Sequence, residues 1–155
     1  MKSYLSSILT IGIIVSLGGC AGQSATQQAV SAGASCPQTG FLKHTETIET
    51  AEIKATMEDL DGGCHFKDGQ VVLTTRFNIS AKWIGRAEAP KGLEIPYFAT
   101  IVDPNENVLA VQDLTAQVEL DHTIGQSLEE LTQSIPLNDV KMSRHYKVIY
   151  GFPVE

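Results

Sequence analysis

The feature that most constrains the fold is a strict two-residue period over residues 70–83. Apolar side chains, with one threonine, occupy every second position, and mostly polar side chains occupy the positions between them. Because successive side chains of a β-strand point to opposite faces, this pattern predicts a long, half-buried strand. Asp68-Gly69, directly before it, predicts a hairpin turn that joins this strand to residues 64–67. The residues of the predicted buried face are Val71, Leu73, Thr75, Phe77, Ile79, Ala81 and Trp83.

Strand patterns recur along the rest of the chain. We expect strands at 52–58, 97–102, 108–120 and 146–152, with a bulge or break near Asp113 in the third of these. Turn-type residues at 61–63 and 103–107, and a proline- and glycine-containing loop at 85–96, separate them. The stretch 127–137 fits both a capped helix and a strand. Because its neighbours are all predicted strands, we favour the strand.

Six to eight strands without alternating helices indicate an all-β domain. The best-fitting architecture is an antiparallel β-sandwich, with an immunoglobulin-like topology as the specific prediction. Trp83, the one tryptophan, is predicted to lie in the core or at its edge.

The N-terminus has the character of an export signal. Lys2 precedes a short apolar run at 5–17, which is shorter than a membrane-spanning helix requires. The next residues complete Leu17-Gly18-Gly19-Cys20, which resembles the lipobox of bacterial lipoproteins. The resemblance implies that residues 1–19 are a cleaved signal peptide and that Cys20 carries the lipid, including a palmitate-type acyl chain. An ordinary secreted protein and an uncleaved membrane anchor are the alternatives.

Lipoprotein resemblance also bears on location. By the sorting rules of such proteins, Ala21 favours the outer membrane, with the domain facing the periplasm. Residues 20–35 then comprise the lipidated cysteine and an uncharged, flexible tether. Residues 36–155 are the predicted folded domain.

Once Cys20 is assigned to lipid, two cysteines remain. Cys36 and Cys64 would lie in an oxidising compartment, where a disulfide is the expected state. Metal ligation by this pair is the alternative, but zinc sites usually contain closely spaced cysteine pairs. We therefore predict a disulfide.

Charge and motifs exclude several classes of function. The formal net charge of −7, with dispersed lysines and arginines, argues against nucleic acid as a partner. The histidines (His44, His65, His122 and His145) lack the spacing of a local metal clip. No serine nucleophile elbow or phosphate-binding glycine loop occurs in the sequence. Accordingly, we predict no catalytic residues, no metal and no cofactor, and expect that the protein is not an enzyme.

The chain also resembles a group of small uncharacterised bacterial lipoproteins. The shared features are Cys36-Pro37 after the tether, Gly63-Cys64 before an Asp-Gly hairpin, and a terminal Gly151-Phe152. Segments like 96–98, 102–104 and 131–137 recur as well. This resemblance implies a lipoprotein but brings no activity with it.

Two functional hypotheses follow. The first is a lipid-anchored, non-catalytic protein that binds another envelope protein, with exposed sheet edges as docking sites for an added strand. The second is a small-ligand-binding lipoprotein or envelope enzyme, with a site near Trp83, Tyr97 and Phe98. A concave site with convergent polar groups would distinguish the second from the first.

Overall fold

A computed structural model describes residues 35–154, apart from the side chain of Val140. Cys20, the lipobox and nearly all of the predicted tether lie outside the described residues. The strands are β1 (Gln38–Phe41), β2 (Thr47–Glu49), β3 (Ile53–Lys67), β4 (Gln70–Trp83), β5 (Gly92–Val102), β6 (Val108–Asp121), β7 (Ile124–Pro136) and β8 (Lys147–Gly151). A short 3₁₀-helix, Val140–His145, precedes β8. The all-β prediction is confirmed.

The strands form one eight-stranded sheet in the order β1-β8-β5-β6-β7-β4-β3-β2, curled into a half-barrel. The prediction of a purely antiparallel arrangement is wrong at one place, because β1 pairs with β8 in parallel and the sheet is therefore mixed. The immunoglobulin-like topology is not confirmed. In that fold the last two strands are neighbours, whereas here β5 and β6 lie between β7 and β8.

The half-barrel consists of two halves that meet at the β6–β7 hairpin. These two strands pair only at Leu120↔Gly125 and Asp121↔Ile124 within the described chain, and then diverge. We call β2, β3, β4 and β7 the β4 half, and β1, β8, β5 and β6 the β5 half. The gap between the diverging strands is the seam. At the hairpin, β7 lies so close to β6 that a Cβ at Gly125 would collide with the carbonyl oxygen of Glu119.

The hairpin between β3 and β4 forms as predicted. Asp68 and Gly69 both have positive φ, of 50° and 75°, which suits the tight turn between two right-twisted strands. The predicted face of β4 is also confirmed. From Val71 to Ala81 every second residue is buried, and Trp83 at the strand end is partly buried.

The predicted turn at 61–63 is wrong, because these residues continue β3. A bulge between Glu58 and Asp61, with Asp59 at φ 57°, shifts the register there. Gly62 allows close packing of the two strands, since a Cβ at this position would lie 3.1 Å from the carbonyl oxygen of Thr74.

The remaining differences concern strand boundaries. β5 begins at Gly92, so the loop after β4 is shorter than predicted. Pro96 is tolerated inside β5 because β8 pairs only from Phe98 onward, so its missing N–H faces no ladder partner there. The bulge expected near Asp113 lies instead at Leu109, opposite the step from β5 residue 101 to 102. Residues 124–136 form a strand, which confirms the favoured interpretation of that segment.

The core lies between the inner faces of the two halves. Phe77 of β4 is fully buried and forms edge contacts with Phe41 and Tyr97, with ring centroids 5.8 Å apart in each case. Its ring centroid is 5.0 Å from that of Tyr150. Because Phe41, Tyr97 and Tyr150 all belong to the β5 half, Phe77 is the centre of the contact between the halves.

Candidate docking surface

The two predicted disulfide cysteines lie together. Cys36 and Cys64 form a disulfide with Cα atoms 5.6 Å apart. Cys36 leads into β1 of the β5 half, and Cys64 belongs to β3 of the β4 half. The disulfide therefore joins the halves covalently at the point where the chain enters the domain.

The histidine and acidic side chains that could act in catalysis or metal binding are scattered in the part of the chain that the structure describes. Over residues 35–154, no group of three or more His, Cys, Asp or Glu could hold a metal ion. In the same range, no helix is long and apolar enough to cross a membrane. His44 and His122 lie at positive-φ turn positions, and His122 is 3.8 Å from Asp121 with both side chains almost fully exposed.

The three aromatic residues of the alternative site have different surroundings. Tyr97 is buried in the core, and Phe98, the next residue of β5, points to the opposite face and is partly buried. Trp83 lies at the end of β4, where its Nε1 donates a hydrogen bond to the carbonyl oxygen of Ala87 at 2.9 Å. These residues do not line a common cavity.

A partly buried polar cluster bridges the halves instead. The hydroxyl of Tyr97 donates to Glu129 Oε2 at 2.8 Å, and Ser127 donates to the other carboxylate oxygen. Burial, followed by the hydrogen bond to Glu129, raises the pKa of Tyr97. Glu129 occupies an odd-numbered position on β7, points inward and is partly buried. The cluster contains no histidine or lysine that could activate a hydroxyl. Its hydrogen bonds connect the two halves, and we call such a hydrogen-bonded contact between the halves a latch.

A second latch lies beside it. Thr75 Oγ1 and the hydroxyl of Tyr150 are 2.6 Å apart in the core, and the same hydroxyl lies 3.5 Å from Gln133 Oε1. Thr75 and Gln133 belong to the β4 half and Tyr150 to the β5 half. Sequence alternation placed Thr75 on the predicted buried face, but its pairing with Tyr150 depends on how the halves meet.

The outer face of the β4 half is mostly polar and internally paired, with Ile124 and Leu128, 60% and 67% exposed, as separate apolar residues on β7. Arg76 and Glu130 form a salt bridge at 2.5 Å, and the hydroxyls of Thr74 and Thr132 lie 3.3 Å apart. A shallow groove of about 530 Å³ crosses this face near the tip of the β6–β7 hairpin. Its lining includes Lys54, Thr56, Ser80, Lys82 and Gln126.

The outer face of the β5 half has a different character. Val108 and Val111 are each 60% exposed and Leu109 is 51% exposed. We call these three residues the β6 patch. On the same face, Val111 continues a cross-strand row with Thr100 and Ile149. Contiguous exposed apolar side chains on a sheet face are typical of an interaction surface.

The patch borders a free strand edge. Between Val108 and Glu119, β6 is paired with β5, while no described strand pairs with it on the seam side. An unprotected edge presents backbone N–H and C=O groups to which another chain can add. The β6 patch and this edge together form the candidate docking surface.

Comparisons with known proteins give no further guide: no family model, no curated protein and no solved structure matches this chain.

Proposed function

We propose that this protein is a lipid-anchored envelope protein, facing the periplasm, that acts as a non-catalytic, protein-binding accessory subunit of an envelope assembly. In this proposal the lipid on Cys20 holds the protein in the outer membrane, and residues 20–35 tether the domain. The β4 half and the β5 half form the two layers of a sandwich-type docking module. The β6 patch beside a free edge is the observation that supports protein binding.

The physical argument is one of uncovered surface. Burying apolar surface contributes roughly 25 cal/mol per Å², so an apolar patch left in water gives up free energy that a partner could recover. A single exposed apolar residue needs no such explanation. Val108, Leu109 and Val111, however, are consecutive or near neighbours on one strand, and that strand has a free edge.

The anchoring part of the proposal is tested in cells. Inhibition of lipoprotein signal peptidase should leave a larger precursor, and Cys20→Ser should release the protein from the membrane fraction. Ser24→Ala, a matched change within the tether, should have neither effect. Membrane association that is unchanged by Cys20→Ser would refute the lipid anchor.

The binding part is tested by crosslinking in intact cells followed by affinity purification. A specific partner should be recovered with the wild-type chain and lost with Val111→Lys. Leu128→Lys on the outer face of the β4 half is the matched control, because Leu128 is 67% exposed and also lies on an outer face. Recovery of the protein only with itself and with bulk lipoproteins would contradict the proposal.

A second candidate function, small-ligand binding, is favoured by the groove on the β4 half. Its volume of about 530 Å³ lies within the roughly 300–1,000 Å³ typical of ligand sites. In this candidate function the ligand would bind beside Lys54, Lys82 and Gln126. The sequence had placed the alternative site near Trp83, Tyr97 and Phe98. Small-molecule binding that Lys82→Gln abolishes and Val111→Lys does not would favour it over the docking function.

A further inference from the structure

The backbone of β6 that faces the seam is available to another strand. Leu120 donates its N–H to the carbonyl oxygen of Lys91 at 2.9 Å, so the N–H of this even-numbered residue points toward β5. In an antiparallel ladder this direction alternates from residue to residue. Asp113, Thr115 and Gln117 therefore direct their N–H and C=O groups toward the seam.

The other sheet edges are less suited to the addition of a strand. β1 has four residues and β2 has three, and short edge strands are one of the ways in which proteins discourage strand addition. The seam edge of β7 ends at Pro136, which has no N–H to donate. β6 has 14 residues and contains no proline and no lysine, the residues that commonly protect an edge.

The acidic charge of β5 and β6 limits which kind of strand can add to the β6 edge. β5 and β6 contain the acidic residues Glu94, Asp113, Glu119 and Asp121 but no lysine or arginine. Gln117 donates to Glu94 at 3.2 Å. A second copy of this chain would bring the same acidic strand and the same net charge of −7, and like charges opposite each other destabilise a strand pair. A cationic segment instead gains complementary charge.

We propose that an extended, cationic segment of a partner protein adds as a strand to the seam edge of β6. Val111 and Asp113 share the outer face of this strand. The added segment therefore carries an apolar side chain beside Val111 and a lysine or arginine two residues away, beside Asp113. This inference rests on the proposed protein-binding function and specifies the surface and the chemistry of its partner.

The first test uses the full chain in its native cell, with a photo-crosslinking amino acid at Thr115 on the β6 edge. Thr47 on β2 is the matched position, being an exposed threonine on the opposite edge strand. We expect at least about tenfold more adduct from position 115, and loss of that adduct when Asp113→Lys is added. Peptide mapping should place the adduct in an extended segment that contains lysine or arginine.

Other crosslinking results would overturn the inference. Equal adducts from positions 115 and 47, or an adduct at 115 that survives Asp113→Lys, would exclude a charge-selected β6 edge. An adduct between two copies of this chain would identify self-association instead. A specific partner that crosslinks only through the β4 half would leave the proposed function intact and refute this surface, so the two failures are distinguishable.

The second test uses the full-length protein in detergent and two synthetic probes, (Lys-Val)₄ and (Glu-Val)₄. The cationic peptide should slow amide hydrogen exchange at Asp113, Thr115 and Gln117 by about tenfold or more, since strand addition protects these N–H groups. The anionic peptide should not. Thr115→Pro, which removes one of the free N–H groups, should abolish the protection. Equal protection by both peptides, or protection on β7 alone, would contradict the proposal.

Discussion

The outer faces of the two halves differ although their inner faces build one core. On the β4 half, polar side chains meet partners on neighbouring strands: Arg76 contacts Glu130 at 2.5 Å and Lys54 contacts Glu49 at 3.0 Å. On the β5 half, Val108 and Val111 remain 60% exposed. The first face pairs most of its hydrogen-bonding and charged groups, and its exposed apolar residues, Ile124 and Leu128, stand four positions apart on β7. The second face leaves apolar residues next to one another, for which an external partner is proposed.

This difference shows that folding and docking place separate demands on the same strands. Inner-face residues such as Val118 of β6 and Ile135 of β7 are each about 1% exposed, whichever half they belong to. The contrast arises only outside the core. Substitutions at the contact between halves should therefore change stability, while substitutions on the outer faces should separate binding from stability.

The largest expected effect comes from removing the contact at the centre of the core. Phe77→Ala should lower the free energy of unfolding by about 3–5 kcal/mol, because it creates a cavity where Phe41, Tyr97 and Tyr150 meet. Denaturant unfolding followed by Trp83 fluorescence would measure this. Leu128→Ala on the exposed outer face should change stability by less than about 0.5 kcal/mol. Equal effects of the two substitutions would refute the assignment of Phe77 to the shared core.

The disulfide should have the next largest effect. Replacing both cysteines, Cys36→Ala with Cys64→Ala, releases a loop with a sequence separation of 28 residues. Chain-entropy models give a cost of about 3–4 kcal/mol for a loop of this size. Reduction of the wild-type protein by dithiothreitol should produce the same loss, and dithiothreitol should not affect the double variant. A double variant as stable as the oxidised wild type would show that the halves need no covalent link.

A smaller effect is expected where the halves separate. Gly125→Ala should cost about 1–3 kcal/mol, since its Cβ would collide with the backbone of Glu119 and push β7 away from β6. Gly63→Ala is the matched control within a strand, because nothing lies within 4 Å of a Cβ there. It should be neutral or stabilise by up to about 1 kcal/mol. A neutral Gly125→Ala would mean that β6 and β7 can separate freely at this point.

The local pattern of the β4 strand could be predicted because one face of it is buried along its whole length. The alternation from Val71 to Ala81 records that burial directly. Residues 61–63 misled the sequence argument because Asp-Gly-Gly has the composition of a turn, although Gly62 serves a close approach to Thr74. The parallel pairing of β1 with β8 could not be predicted, since a four-residue strand carries too little pattern to select a distant partner.

The docking surface was predictable in kind but not in position. Exposed sheet edges were expected to bind, yet nothing in residues 108–111 distinguishes an exposed apolar stretch from a buried one. The free edge beside them depends on the divergence of β7 from β6 after Gly125. In the same way, Glu129 has the sequence character of a surface residue, and only the approach of Tyr97 from the other half makes it part of a latch.

The smallest expected effect concerns the Thr75–Tyr150 latch and depends on pH. Burial raises the pKa of Tyr150 above its usual value, so the unfolded chain ionises first as the pH rises through about 10. The stability that depends on a neutral phenol is therefore complete below about pH 10 and is lost as the pH rises from there toward the folded-state pKa. Tyr150→Phe should cost about 1 kcal/mol at neutral pH, because one buried hydrogen bond is lost. Its unfolding free energy should then fall less steeply than that of the wild type above about pH 10. Unfolding curves collected from pH 7 upward would test this, and profiles that stay parallel throughout would show that the latch does not link the halves through a neutral phenol.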